Sequence, residues 1–149
     1  MAVRFFLASF LFIVHLHLEA QEVLRPPREF RNLPSAFDGV PENSPVPHSA
    51  LHHFIKAEIG DTLDLSLTPG ILLRFIAIDR HSDNQRTSVS LRCVSMPDLH
   101  FTLSSNANNV AAPYTGRILS RSFSDALILQ LDEAGYSFIR TPLQKLLAE

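Results

Sequence analysis

The chain has 149 residues but only one cysteine, Cys93, no tryptophan, two tyrosines and five glycines. A lone cysteine excludes any disulfide within the chain, so the fold must be held by apolar packing. So few glycines leave little material for a backbone-lined phosphate cradle. Neither a serine elbow nor an H-E-x-x-H pair occurs. An excess of one charge is also missing: 13 Lys and Arg stand against 15 Asp and Glu, a formal net of −2. That balance argues against nucleic acid and against an anionic membrane surface, since both demand a basic face. No Asn-x-Ser/Thr acceptor exists, because Asn43-Ser44 is followed by Pro45, so N-glycosylation is not expected. The scarcity of Trp and Tyr weakens a carbohydrate-binding reading, which needs rings to stack on sugars.

The one long apolar run lies at the start. Arg4 supplies a basic beginning, residues 5–18 are apolar apart from Ser9, His15 and His17, and Ala20 offers a small residue for cleavage. This pattern predicts a secretory signal over residues 1–20 and hence a secreted, extracellular protein. The run is shorter than the ~20 apolar residues a membrane span needs. His15 and His17 would leave with the signal. What remains suits one domain.

Composition changes over residues 21–49, where Pro26, Pro27, Pro34, Pro41, Pro45 and Pro47 mix with charged and small polar residues. Proline lacks a donor and holds its predecessor extended, so the stretch is expected to be a flexible linker. Arg25-Pro-Pro-Arg28 is too short to define a polyproline docking peptide. His48, His52 and His53 cluster at its end without a clear third metal-ligand geometry and are expected to be exposed histidines. No metal, cofactor or catalytic set is predicted.

Residues 49–60 fit two descriptions. As a helix, Ser49 caps it, Leu51, Phe54, Ile55 and Ile59 share a face, and Gly60 ends it. As a strand, Ile55, Ala57 and Ile59 alternate with Lys56 and Glu58; a helical turn running into a strand is favoured. Beyond Gly60 the period is that of strands. Leu63, Leu65 and Leu67 alternate with polar residues before Pro69-Gly70 turns the chain, and residues 71–78 form a nearly continuous apolar run. Residues 79–86 are polar and predict a loop. Val89, Leu91 and Cys93 share one face, which places the thiol inward, with an intermolecular disulfide as the rival reading. Leu99, Phe101 and Leu103 alternate next, residues 104–116 predict a long loop, and Leu127, Leu129 and Leu131 precede the turn Asp132-Glu-Ala-Gly135. Residues 142–149 predict a short helix. The expected fold is an all-β antiparallel sandwich over residues 50–149, behind an extended proline-rich arm and ending in that helix.

Gly60-Asp-Thr-Leu-Asp-Leu-Ser-Leu67 resembles the second strand of an immunoglobulin-type domain. Asp132-Glu-Ala-Gly-Tyr136-Ser-Phe138 resembles that family's Asp-x-Ala/Gly-x-Tyr-x-Cys signature. The resemblance implies a two-layer β-sandwich in which Leu67 and Phe138 occupy the places of the bridging cysteines as an apolar core pair. It also implies that Asp132 and Tyr136 form a corner, with the tyrosine hydroxyl bonding back to nearby backbone. The family's core tryptophan has no counterpart here, Phe75 being the nearest aromatic.

Two functions follow as expectations. The first is an extracellular binding or adhesion module that recognises a protein partner through loops or a sheet face. Its candidate contacts are Asp79, Arg80, His81, Asp83, Arg86 and Tyr114, because binding residues concentrate on loops held by a rigid scaffold. The alternative is a secreted hydrolase or enzyme inhibitor using the His81 loop. A histidine and carboxylates become catalytic only beside a nucleophile or metal, and no motif supplies one.

Overall fold

The computed structural model describes residues 33–147. The expected signal, residues 1–20, and the first part of the arm lie outside the described residues. Eight strands are present: β1 (Asn43–Pro45), β2 (Thr62–Thr68), β3 (Ile71–Ser82), β4 (Arg86–Cys93), β5 (His100–Asn106), β6 (Tyr114–Leu119), β7 (Asp125–Asp132) and β8 (Gly135–Pro142). Helix α1 (His48–Ile55) lies between β1 and β2, and α2 (Leu143–Leu146) follows β8. The expected all-β antiparallel character and the C-terminal helix are both present.

The strands form one sheet of order β1-β8-β7-β6-β5-β4-β3-β2. From β2 to β8 each strand pairs antiparallel with the next, and β1 returns to pair with β8. The two edges, β1 and β2, approach one another without a backbone ladder between them. The result is a nearly closed, barrel-like sheet rather than the two facing layers expected. Alternation fixes which residues face inward but not whether a second sheet or the same sheet, curling round, covers them.

Inward positions along the strands supply the core: Leu63, Leu65 and Leu67 from β2, Phe75 from β3, Phe101 and Leu103 from β5, Leu127 from β7 and Phe138 from β8 are all buried. Leu67 and Phe138 thus both belong to the core. Cys93 points inward with Val89 and Leu91, fully buried and unbridged. Helix α1 follows the favoured helical reading for its first two turns and buries Leu51, Phe54 and Ile55. The Phe54 ring meets Phe101 edge-on with centroids 5.4 Å apart, and Phe101 in turn lies 5.7 Å from Phe75 and 5.7 Å from Phe138. A helix side chain therefore fills the middle of the sheet's concave face. Ile59 is left out of this face, 66% exposed, because the chain bends after Lys56 into a bulge. There the Gly60 N–H donates to the Ala77 carbonyl at 2.8 Å while the Ala77 N–H donates to the Asp61 carbonyl at 2.9 Å. Two residues oppose one, and the first sits at φ +97°, a conformation that glycine adopts without steric cost.

The opposite end is closed by residues that the sequence assigned to the arm. Phe37 and Val40 are buried. Asp125 holds the segment by accepting the Ser35 hydroxyl and, at 2.8 Å, the Ala36 N–H. Arg140 donates to the Phe37 carbonyl at 3.0 Å. The body of the fold thus begins before residue 37 rather than at residue 50. Proline is no obstacle here, since these residues run along the edge and rim and need no continuous ladder.

A second departure lies in residues 79–86, where β3 continues to Ser82 in place of the expected loop. A register shift between Ala77 and Asp79 reverses the alternation, so Asp79 pairs with Ser90, Arg80 with Val89 and His81 with Ser88. Polar residues stay in strand here because the rim is open to water on the outer face. Likewise the loop expected over residues 104–116 shortens to 107–113, flanked by the ends of β5 and β6.

Candidate functional site

Around the end closed by α1, three connections enclose an open groove of about 620 Å³. The β1–α1 link contributes Pro45, Val46, Pro47 and His48; the β5–β6 loop contributes Val110, Ala111 and Pro113; the β7–β8 turn contributes Leu131, Ala134 and Gly135, with Tyr136 at the base. Local hydrogen bonds fix each wall. The Val46 N–H donates to the Tyr136 carbonyl at 2.9 Å, tying the link to β8. In the asparagine-rich loop the side-chain oxygens of Asn106 and Asn109 accept the N–H groups of Asn108 at 2.9 Å and Ala112 at 3.1 Å. Such bonds let asparagine hold a turn by itself. They leave Val110 at the apex, 87% exposed. Asp132 accepts the Ala134 N–H at 2.8 Å and holds the tight turn, beside which Leu131 is 42% exposed.

Beneath the groove lies an aromatic cluster. Tyr114 and Tyr136 are both buried and meet edge-on, with centroids 5.7 Å apart. The Tyr136 hydroxyl accepts the Tyr114 N–H at 3.0 Å, and the Tyr114 hydroxyl lies 3.2 Å from His52 Nδ1. His48 packs edge-on against Tyr114 at 5.0 Å. Burial, and secondarily the neighbouring Tyr136, push the Tyr114 phenol above its ordinary pKa. The cluster ties α1 to β6 and β8 and makes the groove floor rigid. Its hydroxyls are engaged, so the groove offers shape and apolar surface rather than a reactive group.

The residues singled out in the sequence do not form one surface. Asp79 and His81 lie exposed on the outer face of β3, beside Ser90 and Ser88. Arg80 turns toward the rim, donating to the Lys56 carbonyl at 3.2 Å and the Ala57 carbonyl at 3.4 Å and pairing with Glu58 at 2.7 Å. Asp83 accepts the N–H groups of Gln85 at 2.8 Å and Arg86 at 2.7 Å. Those two bonds, more than the nearby charges, hold its carboxyl below the usual range. Arg86 reaches across the outer face to the Ser104 hydroxyl at 3.2 Å. Tyr114 alone belongs to the groove, as floor rather than as exposed contact. Asp132 caps its turn, and the hydroxyl of Tyr136 bonds backbone 22 residues away in sequence rather than at its own corner.

Sequence reasoning missed the Pro45–His48 wall and the His52–Tyr114 contact. An apolar Val110 inside an Asn-rich loop was the one readable signal; the histidine–tyrosine pair spans 62 positions and leaves no trace in local pattern. Among the described residues, no three His, Cys, Asp or Glu side chains lie together as metal ligands. No described helix is long and apolar enough to cross a membrane. The outer faces of β4–β6 carry Arg86, Arg92, His100 and Arg117, where a lipid-facing band would be apolar. Comparison of the chain with protein-family models, with curated proteins and with solved structures gives no match.

Proposed function

We propose that this protein is a secreted, extracellular binding module that recognises a protein partner through the groove at the α1 end. The observation that carries the reading is the presence of exposed Val110 and Leu131 in the lining of a depression whose walls come from three separate, locally fixed connections. The barrel interior is packed with side chains and leaves the ends and outer surface as the available faces. Prolines in two of the walls remove backbone donors and hold the chain extended, so an apolar side chain of a partner can enter without stranding an N–H. A preformed groove also spares the ordering cost that weakens flexible loops. Secretion rests on the basic start, apolar run and small residue at positions 4–20.

Burying a Val or Leu side chain contributes about 1.5–3 kcal/mol, and each 1.4 kcal/mol is roughly tenfold in affinity. For a partner isolated from extracellular fluid and measured by titration, Val110→Asp and Leu131→Asp should each weaken binding by at least about tenfold. His100→Ala, on the outer face, should leave affinity unchanged. Equal affinity for all three variants and the parent protein would refute the reading.

A further inference from the structure

The outer face carries a second depression, of about 350 Å³, lined by Arg86, Thr102, Ser104, Thr115 and Arg117, with Ile128 along one side. Its composition follows from strand alternation. Arg86 and Ser88 on β4, Thr102 and Ser104 on β5, and Thr115 and Arg117 on β6 all project outward, because their neighbours Val89, Phe101, Leu103 and Ile118 project into the core. Register then sets Ser88, Ser104 and Thr115 side by side, with Thr102 next to Arg117 one row further along. The two arginines stand at opposite corners of a hydroxyl-covered floor.

The floor is built rather than incidental. Ser104 is only 7% exposed. Its oxygen accepts from Arg86 at 3.2 Å and lies 2.9 Å from the Ser88 hydroxyl. When Ser88 donates that second bond, both lone pairs of Ser104 are taken and its own proton is free to point outward. The ion pairs among the described residues are Arg74–Asp64 and Arg80–Glu58, and neither Arg86 nor Arg117 takes part in one. Asp83, nearest to Arg86 in sequence, accepts both backbone N–H groups on Oδ1 and makes no ion pair with Arg86, whose charge is the least of the influences on its carboxyl. Asp79 lies on the same face, on β3 beside Ser90.

We propose that this depression binds a tetrahedral oxyanion, the sulfate or phosphate group of an ester. Two guanidinium forks approach from opposite corners and serine and threonine hydroxyls donate from below, so the acceptor must present oxygens in three directions. A planar carboxylate satisfies one fork and leaves the other idle. The site fits a single anionic group, because its polar lining is confined to two arginines and three hydroxyl side chains in a depression of about 350 Å³. This site is separate from the groove and stands or falls independently of it.

Nuclear magnetic resonance of the folded protein tests the assignment. Sodium sulfate and sodium phosphate, added against sodium chloride at equal ionic strength, should give saturable shifts at the Arg86 and Arg117 side chains and at the Ser104 and Thr115 amides. Chloride should give none. Arg117→Gln and Arg86→Gln should each weaken the affinity at least tenfold, Arg117→Lys should weaken it less, and Arg92→Gln and Val110→Asp should leave it unchanged. A sulfated disaccharide and O-phosphoserine, titrated separately, identify the ester by which binds more tightly. Shifts that follow ionic strength alone, or that persist undiminished in Arg117→Gln with an otherwise native spectrum, overturn the proposal.

Discussion

Phe54 is the side chain on which the packing argument turns. It sits on α1, is almost fully buried, and contacts the Phe101 ring, which also meets Phe75 and Phe138. Truncation to alanine removes a benzyl group from the middle of the barrel and leaves a void that rigid strands collapse onto only partly. Phe→Ala changes of this kind cost about 3–5 kcal/mol, a large share of the 5–15 kcal/mol typical of a domain. At about 4 °C per kcal/mol for a domain of this size, Phe54→Ala should lower the melting temperature by roughly 10–20 °C. Ile59→Ala, only five positions on but largely exposed, should change the unfolding free energy by no more than about 0.5 kcal/mol. A double-mutant cycle with Phe54→Leu and Phe101→Leu should show a coupling of about 0.5–1.5 kcal/mol for the edge-on pair. The assay is thermal and urea unfolding followed by circular dichroism. A Phe54→Ala cost under about 1 kcal/mol, or an Ile59→Ala cost equal to it, would mean that α1 does not stopper the barrel.

Three further outcomes follow from the same structure. At Gly116 an added Cβ would stand 3.1 Å from Leu103 Cδ1 and 3.1 Å from the Thr102 carbonyl oxygen; Gly116→Ala should therefore destabilise by about 1–3 kcal/mol in urea unfolding, and an unchanged midpoint would show that β5 yields. Tyr136→Phe removes the acceptor of the buried Tyr114 N–H at a cost of about 1–3 kcal/mol, while the raised Tyr114 pKa stabilises the fold below the ordinary phenol value and that contribution is lost as pH rises through the folded value. Both effects are read from unfolding curves against pH, and a Tyr136→Phe protein as stable as the parent contradicts the first. Asp83 has the opposite sign: its depressed pKa gives a contribution present above the ordinary carboxyl value and lost as pH falls through the folded one. The Gln85 and Arg86 amide resonances should accordingly titrate with a midpoint below 3.8, the ordinary value; a midpoint at or above it would mean that the turn bonds are not made.

Residue identity alone determined much of this molecule. Alternation at Leu63, Leu65 and Leu67, at Val89, Leu91 and Cys93, and at Leu127 and Leu129 marks the inward faces, because side chains on a pleated strand change sides at every step. The same signal placed the thiol of Cys93 inside, and the spacing of Leu51, Phe54 and Ile55 announced the buried face of α1. Those properties are local and one chain segment suffices to fix them. Closure was decided elsewhere. Whether inward faces meet a second layer or the far side of their own sheet depends on twist, register shifts and strand count, which accumulate over the whole chain. The bulges at Gly60-Asp61 and beyond Ala77 reversed or bent strands in ways that no local window records, and so turned an apparent loop into the rim of β3. The groove and the Arg86–Arg117 depression join residues from separate connections and strands, and the His52–Tyr114 contact bridges 62 positions. Such juxtapositions exist only once the sheet has curled, since it is the curl that sets distant segments side by side.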